Sequence, residues 1–157
     1  MKIHNKILVF FAMLISILNL VYATYSFPNL PALIPVHFGI DGKPNGWGGK
    51  YTIFFIPLIN LTLVCFMASV RKHPFSYLNL PIKVSNNNVE ERVKLGKQLL
   101  DLICVAISIL FFFVELHIVK SSQNPISSNG LFIVIISIVA AILGLSAFYT
   151  KKINKLA

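Results

Sequence analysis

The sequence predicts an all-α membrane protein, a bundle of four transmembrane helices with an ordered outer loop rich in proline and glycine. Three observations lead there. Apolar stretches at residues 7–25, 51–70, 102–119 and 131–149 are each about 20 residues long, enough at about 1.5 Å per residue to cross about 30 Å of hydrocarbon. Hydrophobic residues make up 56% of the 157-residue chain and charged residues 12%, about half the charged share of a soluble domain. Basic residues also alternate by side. Lys2, Lys6, Arg71, Lys72, Lys83, Arg92, Lys94, Lys97, Lys151, Lys152 and Lys155 fall on one side of the four stretches, and only Lys43, Lys50 and Lys120 on the other. The positive-inside rule then places both termini in the cytoplasm, the loop 26–50 outside and the loop 71–101 inside. The whole chain reads as one integral membrane domain in the plasma membrane, and the net charge of +9 is topology and attraction to anionic lipid. A nucleic-acid role is not expected, because basic and aromatic residues do not interleave as single-strand binders require.

The first stretch has a competing reading. Two lysines, an apolar run and Val21-Tyr22-Ala23 resemble a secretory signal with a small-residue cleavage site. The apolar character continues through Tyr25, and removing the segment would put the charge pattern out of register, so a retained helix is expected. Its stripe Ala12, Ser16, Asn19 and Ala23 has the spacing of a packing face.

The outer loop is too apolar to float in water. Pro28, Pro31 and Pro35 favour extended backbone, and the glycines from Gly39 to Gly49 permit tight turns. Leu30, Leu33, Ile34, Val36, Phe38 and Trp47 should pack on helix ends, with Trp47 in the interfacial belt. The loop is a packed cap or a recognition surface. His37 and Asp41 are four residues apart, which argues little in a segment not expected to be helical.

In the second stretch, Pro57 lacks an N–H and frees a carbonyl near Asn60. In the cytoplasmic loop, 73–81 is punctuated by proline. Asn87 with Glu90 then makes a capping box, Glu90 and Lys94 an i,i+4 pair, and Val89, Val93, Gly96 and Leu100 one face of a basic amphipathic helix suited to an anionic interface. In the third stretch Asp101, Cys104, Ser108, Phe111/Phe112 and Glu115 share one face, which should look inward. Glu115 is the most costly residue to place, since a carboxylate near hydrocarbon costs about 2.5 kcal/mol or more unless paired or neutralised. It lies level with the root of the outer loop, where His37, Lys50, Lys120 or the proline segment are candidate partners. A structural hydrogen bond pinning the loop is the favoured reading, and a His37–Glu115 metal or proton site the sharper one. His117 is about 200° round the helix from Glu115, so the two cannot share a ligand. In the fourth stretch Ser137, Ala140/Ala141, Gly144 and Ala147 form a small-residue face of the kind that lets helices approach.

The chemistry-bearing motifs are few. The sequence carries no HExxH, Gly-x-Ser-x-Gly, phosphate-binding glycine loop or zinc spacing, so no catalytic residue, cofactor or metal is expected. Cys65 and Cys104 read as reduced packing residues. The run Leu30-Pro31, Ile34-Pro35-x-His37-Phe38, Gly42, Trp47 and Lys50, entering a span, resembles a bacterial family of small multi-pass membrane proteins of unknown function that includes a sporulation-delaying toxin immunity protein. Leu80-Pro81-Ile82, Asn88-Val89-Glu90-Glu91-Arg92 and Leu99-Leu100 match as well, extending the likeness over about residues 22–113. The resemblance implies membrane location and several spans, and no chemistry.

Three functions remain. The favoured one is a non-enzymatic immunity or sensory protein recognising a peptide, such as a peptide toxin, or a membrane partner with the outer loop, while a cytosolic partner would dock on the cytoplasmic loop 71–101. The second is a proton-coupled carrier titrating Glu115, whose four helices would have to form a homo-oligomer to enclose a path. The third is an intramembrane enzyme acting on lipid or peptide. The candidate polar site comprises His37, Trp47, Lys50 and Glu115, with Asp41 and His117 weaker. Topology is testable directly: Asn45→Cys should react with an impermeant thiol reagent on intact cells and Asn87→Cys should not, and the reverse labelling would invert the assignment.

Overall fold

The computed structural model describes residues 4–72, 88–123 and 130–156. Four helices dominate: α1 (His4–Ser26), α2 (Phe55–Lys72), α3 (Val89–Gln123) and α4 (Gly130–Asn154). All four are long and apolar enough to cross a membrane. Between α1 and α2 lie a 3₁₀ turn (Phe27–Asn29), strands β1 (Leu33–Phe38) and β2 (Pro44–Gly49), and a second 3₁₀ turn (Lys50–Phe54). The hairpin caps one end of the bundle. At the other, the Asn88 side-chain amide donates to the Leu156 carbonyl at 3.2 Å, so the C-terminus meets the start of α3.

Burial is inverted relative to a soluble protein. Ser16, Asn19, Asn60, Ser108 and Glu115 have no exposure at all, whereas Phe10, Phe55, Phe66, Ile133, Leu143 and Phe148 each expose more than 60%. Large apolar side chains facing out and polar ones facing in are what hydrocarbon solvent selects. The chain is a multi-pass membrane protein.

Helix α3 is the hub, packing on α1, α2, α4 and β1. Its inward face is the expected one: Asp101, Cys104, Ser108 and Glu115 are all buried. So is the α1 stripe of Ala12, Ser16, Asn19 and Ala23, whose small side chains let α1 approach α3 closely. Two apolar clusters set the register of the three inner helices. Ala23, Ile53, Ile118 and Val119 pack near the hairpin, joined by Leu30 and Ile34. Ala12, Val64 and Cys104 pack nearer the other end.

The helix expected within 71–101 is present and runs into the third span as the first turns of α3. The backbone passes Gly96 without a break, and its face is set by the membrane-spanning part: Arg92 and Leu95 are buried, while Val89 is exposed. At 35 residues and about 1.5 Å per residue, α3 is about 52 Å long, well beyond a hydrocarbon core of about 30 Å. The segment 73–81, the Leu80-Pro81-Ile82 motif and Asn87 of the capping box lie outside the described residues. Asn88 is the residue before the helix, and its carbonyl accepts from the Arg92 N–H at 3.1 Å.

Two further expectations are corrected. In α4 the face turned toward the protein is aliphatic, through Val134, Ile138, Ile142, Leu145 and Ile153, and Ser137, Ala140, Ala141, Gly144 and Ala147 are exposed. A Cβ built on Gly144 meets nothing within 4 Å. Pro57 falls in the first turn of α2, where an N–H has no intrahelical partner, so little is freed by its loss.

At the end away from the hairpin, Arg71 Nε lies 2.9 Å from Asp101 Oδ1, with side chains 19% and 2% exposed. The pair ties the last turn of α2 to α3. Breaking a buried pair strands a charge, whereas replacing both partners does not. In a denaturant titration in mixed micelles, Asp101→Leu alone should cost about 3 kcal/mol, and Asp101→Leu with Arg71→Leu less than the two single losses added.

Candidate functional site

The loop between α1 and α2 is built as a hairpin. Its strands are antiparallel, with Leu33 opposite Gly49, Pro35 opposite Trp47 and Phe38 opposite Pro44, and an irregularity at His37. The extended backbone that the prolines favour is here part of a ladder, since a two-stranded sheet has outward edges where a missing N–H breaks no pair. At the tip, Gly39 donates to the Lys43 carbonyl and Gly42 to the Gly39 carbonyl, both at 2.9 Å. Gly42 adopts φ 72°, the left-handed region that glycine enters without strain. Asp41 Oδ1 accepts from the Lys43 N–H at 3.1 Å and pairs loosely with the Lys43 ammonium at 3.8 Å. Asp41 is therefore a turn-former. A Cβ at Gly46 would lie 2.9 Å from that of His37, so the strand crossing also needs a glycine there.

One face of the hairpin is buried and the other is open. Leu30 and Ile34 enter the apolar cluster with Ala23, Ile53, Ile118 and Val119, and Pro35 is fully buried. Lys50 donates its N–H to the Ala32 carbonyl at 3.0 Å and holds its ammonium 4.5 Å from the centre of the Phe27 ring, a cation–π contact that fixes the return into α2. On the open face, Trp47 is 53% exposed and Ile40 82%. His37 is exposed and bonded through Nδ1 to the Asn45 side chain.

The sequence-predicted residues therefore do not form one site. His37, Asp41, Trp47 and Lys50 belong to the hairpin, and Glu115 belongs to the bundle interior. Glu115 makes no hydrogen bond to the hairpin: neither carboxylate oxygen has a partner among the described residues. The polar residue of α3 that meets the hairpin, beside Ile118 and Val119, is His117. Its ring packs edge-on against Phe38 with centroids 4.9 Å apart and hydrogen-bonds with the backbone of Gly42. The roughly 200° between positions 115 and 117 sends one side chain into the bundle and the other to the cap.

Glu115 has company that the sequence reading treated only as packing residues. Asn19 lies between Ala12 and Ala23 on α1, Asn60 between Ile53 and Val64 on α2, and Glu115 between Cys104 and Ile118 on α3. These flanking residues form the two apolar clusters, so the three polar side chains share the layer between them. Ser16 and Ser108 lie there too, but their hydroxyls donate to the carbonyls of Ala12 and Cys104 four residues back. Asn19, Asn60 and Glu115 have no such outlet. Each has no exposure, and none of their side-chain N or O atoms is hydrogen-bonded among the described residues.

Because His117 rather than Glu115 holds the cap, the two can be separated by proteolysis of folded protein. An edge-on ring contact and one neutral hydrogen bond together contribute about 1–3 kcal/mol. His117→Ala should therefore speed cleavage within the turn 39–43 about tenfold, and Glu115→Gln should leave it unchanged.

A family model described as a domain of unknown function, DUF1648, matches residues 14–61, under a third of the chain. The matched stretch is most of α1, the whole hairpin and the first turns of α2. It includes Asn19, His37, Trp47, Lys50 and Asn60 and stops short of Glu115 and His117. No curated protein and no solved structure matches the chain.

Proposed function

We propose that the protein is a non-enzymatic recognition protein of the bacterial plasma membrane, with both termini cytoplasmic, whose outward hairpin takes up an extended apolar peptide. The observation that carries this reading is the unpaired edge of β2. The sheet has two strands, and β1 is the strand that packs on α3, which leaves the second edge of β2 without a partner strand among the described residues. A free edge is a template for strand addition, in which main-chain bonds give affinity and side-chain anchors give selectivity. Gly46, Gly48 and Gly49 leave that edge unobstructed. Trp47, with Ile40 at the tip and Tyr51 at the root (72% exposed), supplies the rigid apolar anchors that dominate such interfaces. A peptide already partitioned into the membrane interface would arrive at this level, and an immunity or sensory role is the form of recognition that the family resemblance favours.

The test is selection from a displayed peptide library on the full chain in lipid nanodiscs. Peptides that bind should lose about tenfold or more in affinity with Trp47→Ala, in line with truncation of a buried aromatic anchor. Failure to select any sequence, or selected peptides indifferent to Trp47→Ala and Ile40→Ser, would remove the hairpin as the recognition surface.

A further inference from the structure

We propose that Asn19, Asn60 and Glu115 form an internal binding site for a monovalent alkali cation, between the two apolar layers of the bundle. The argument starts from what each side chain needs. Glu115 is the one ionisable side chain of the three and takes part in neither the Lys43–Asp41 nor the Arg71–Asp101 ion pair. A carboxylate at this depth must be neutralised. The two amides bring one oxygen each, from α1 and α2, and both remain unpaired with no exposure. Three helices thus direct hard oxygen donors into one closed layer.

The donor set selects the class of ion. One carboxylate with two amide oxygens is oxygen-only coordination with a single negative charge. A monovalent cation leaves the site neutral, whereas a divalent one would leave an uncompensated charge in hydrocarbon and favours more carboxylates. Transition metals are disfavoured by chemistry, since no group of three His, Cys, Asp or Glu side chains stands together among the described residues. A proton on Glu115 would satisfy one acceptor, while an alkali ion satisfies one on each of three helices. Ion sites at the membrane midplane lined by inward-facing helix segments follow the same logic. Orientation agrees as well. Cβ bonds tilt toward a helix N-terminus, so Asn19 and Glu115 lean away from the hairpin and Asn60 leans toward it, which brings the three together.

Titratable groups on the packed elements have contacts of their own. Tyr22 on α1 sets its ring on Phe112, Arg71 on α2 pairs with Asp101, and His37 on β1 bonds Asn45. On α4, Tyr149 packs against Phe148 and Lys151 and Lys152 lie in the last turn. On α3, His117 is turned to Phe38. The inference does not rest on the peptide-recognition reading and can fail separately from it.

The experiment is thermal unfolding of the full chain in nanodiscs of neutral lipid, in sodium, potassium or choline chloride at equal ionic strength. Near pH 8, an alkali salt should raise the midpoint by about 4 °C or more over choline, as binding to the native state alone requires. The gain should vanish near pH 5, where the proton competes for Glu115. Glu115→Gln should abolish the gain without lowering the midpoint in choline, and Asn60→Leu should reduce it. Because either variant could misfold, retention of radioactive sodium by the wild-type protein is the second readout, expected at about one ion per chain with release by acid. Equal midpoints in alkali and choline salts overturn the proposal. So does a midpoint that follows pH but not the cation, which would assign the layer to a proton.

Discussion

Hydrocarbon offers no hydrogen bonds, so every polar group at membrane depth must be satisfied from within the protein. The rest of the architecture depends on that constraint. Backbone groups meet it as four helices, and the one stretch of β structure among the described residues is displaced to the end of the bundle, beyond the apolar layer at Ala23, Ile53 and Ile118. Hydroxyls meet it by turning back onto their own helices, as Thr24, Thr62, Ser69 and Ser146 do as well as the two serines of the polar layer. Asp101 meets it with Arg71. Asn19, Asn60 and Glu115 are too large to be closed off this way by a neighbouring carbonyl, and they lie at one level instead of being scattered. That common level suggests one shared solution rather than three separate ones.

Helix α3 turns this constraint into organisation. It contributes a residue to each device in turn: Asp101 to the ion pair, Cys104 and Ser108 to the lower packing, Glu115 to the polar layer, and His117 to the cap. Because α1, α2, α4 and β1 all pack on it, those devices keep a fixed order along one axis. The family match, by contrast, covers the hairpin and its flanking helix segments. The matched module thus brings the cap and two of the three polar-layer side chains, and α3 brings the carboxylate of that layer and the histidine that meets the cap.

What was legible in the sequence is what repeats locally. Intervals of three, four and seven placed Asp101, Cys104, Ser108 and Glu115 on one face of α3, and the same spacing marked Ala12, Ser16, Asn19 and Ala23 on α1. Contacts between distant segments were not legible. The ladder of Leu33 to Gly49 depends on two strands finding each other across a turn, and three prolines announced extended backbone without a partner for it. The Arg71–Asp101 pair joins two helices across a loop, and no local pattern announces it. Glu115 was read toward the loop because its level matched, whereas direction around the helix settled its neighbours. The α4 face was misread for a different reason. Against lipid both faces of a helix are apolar, so hydropathy carries no sense of inside and outside, and a small-residue stripe fits either side equally well.

The unbroken length of α3 has a mechanical consequence. An α-helix is stiff along its axis, and this one is gripped at His117 by the cap and at Asn88 by its contact with the chain's C-terminal residues. With Arg71 holding it near Asp101 as well, the rod fixes the spacing between the cap at one end of the bundle and the turns around Arg92 and Leu95 at the other.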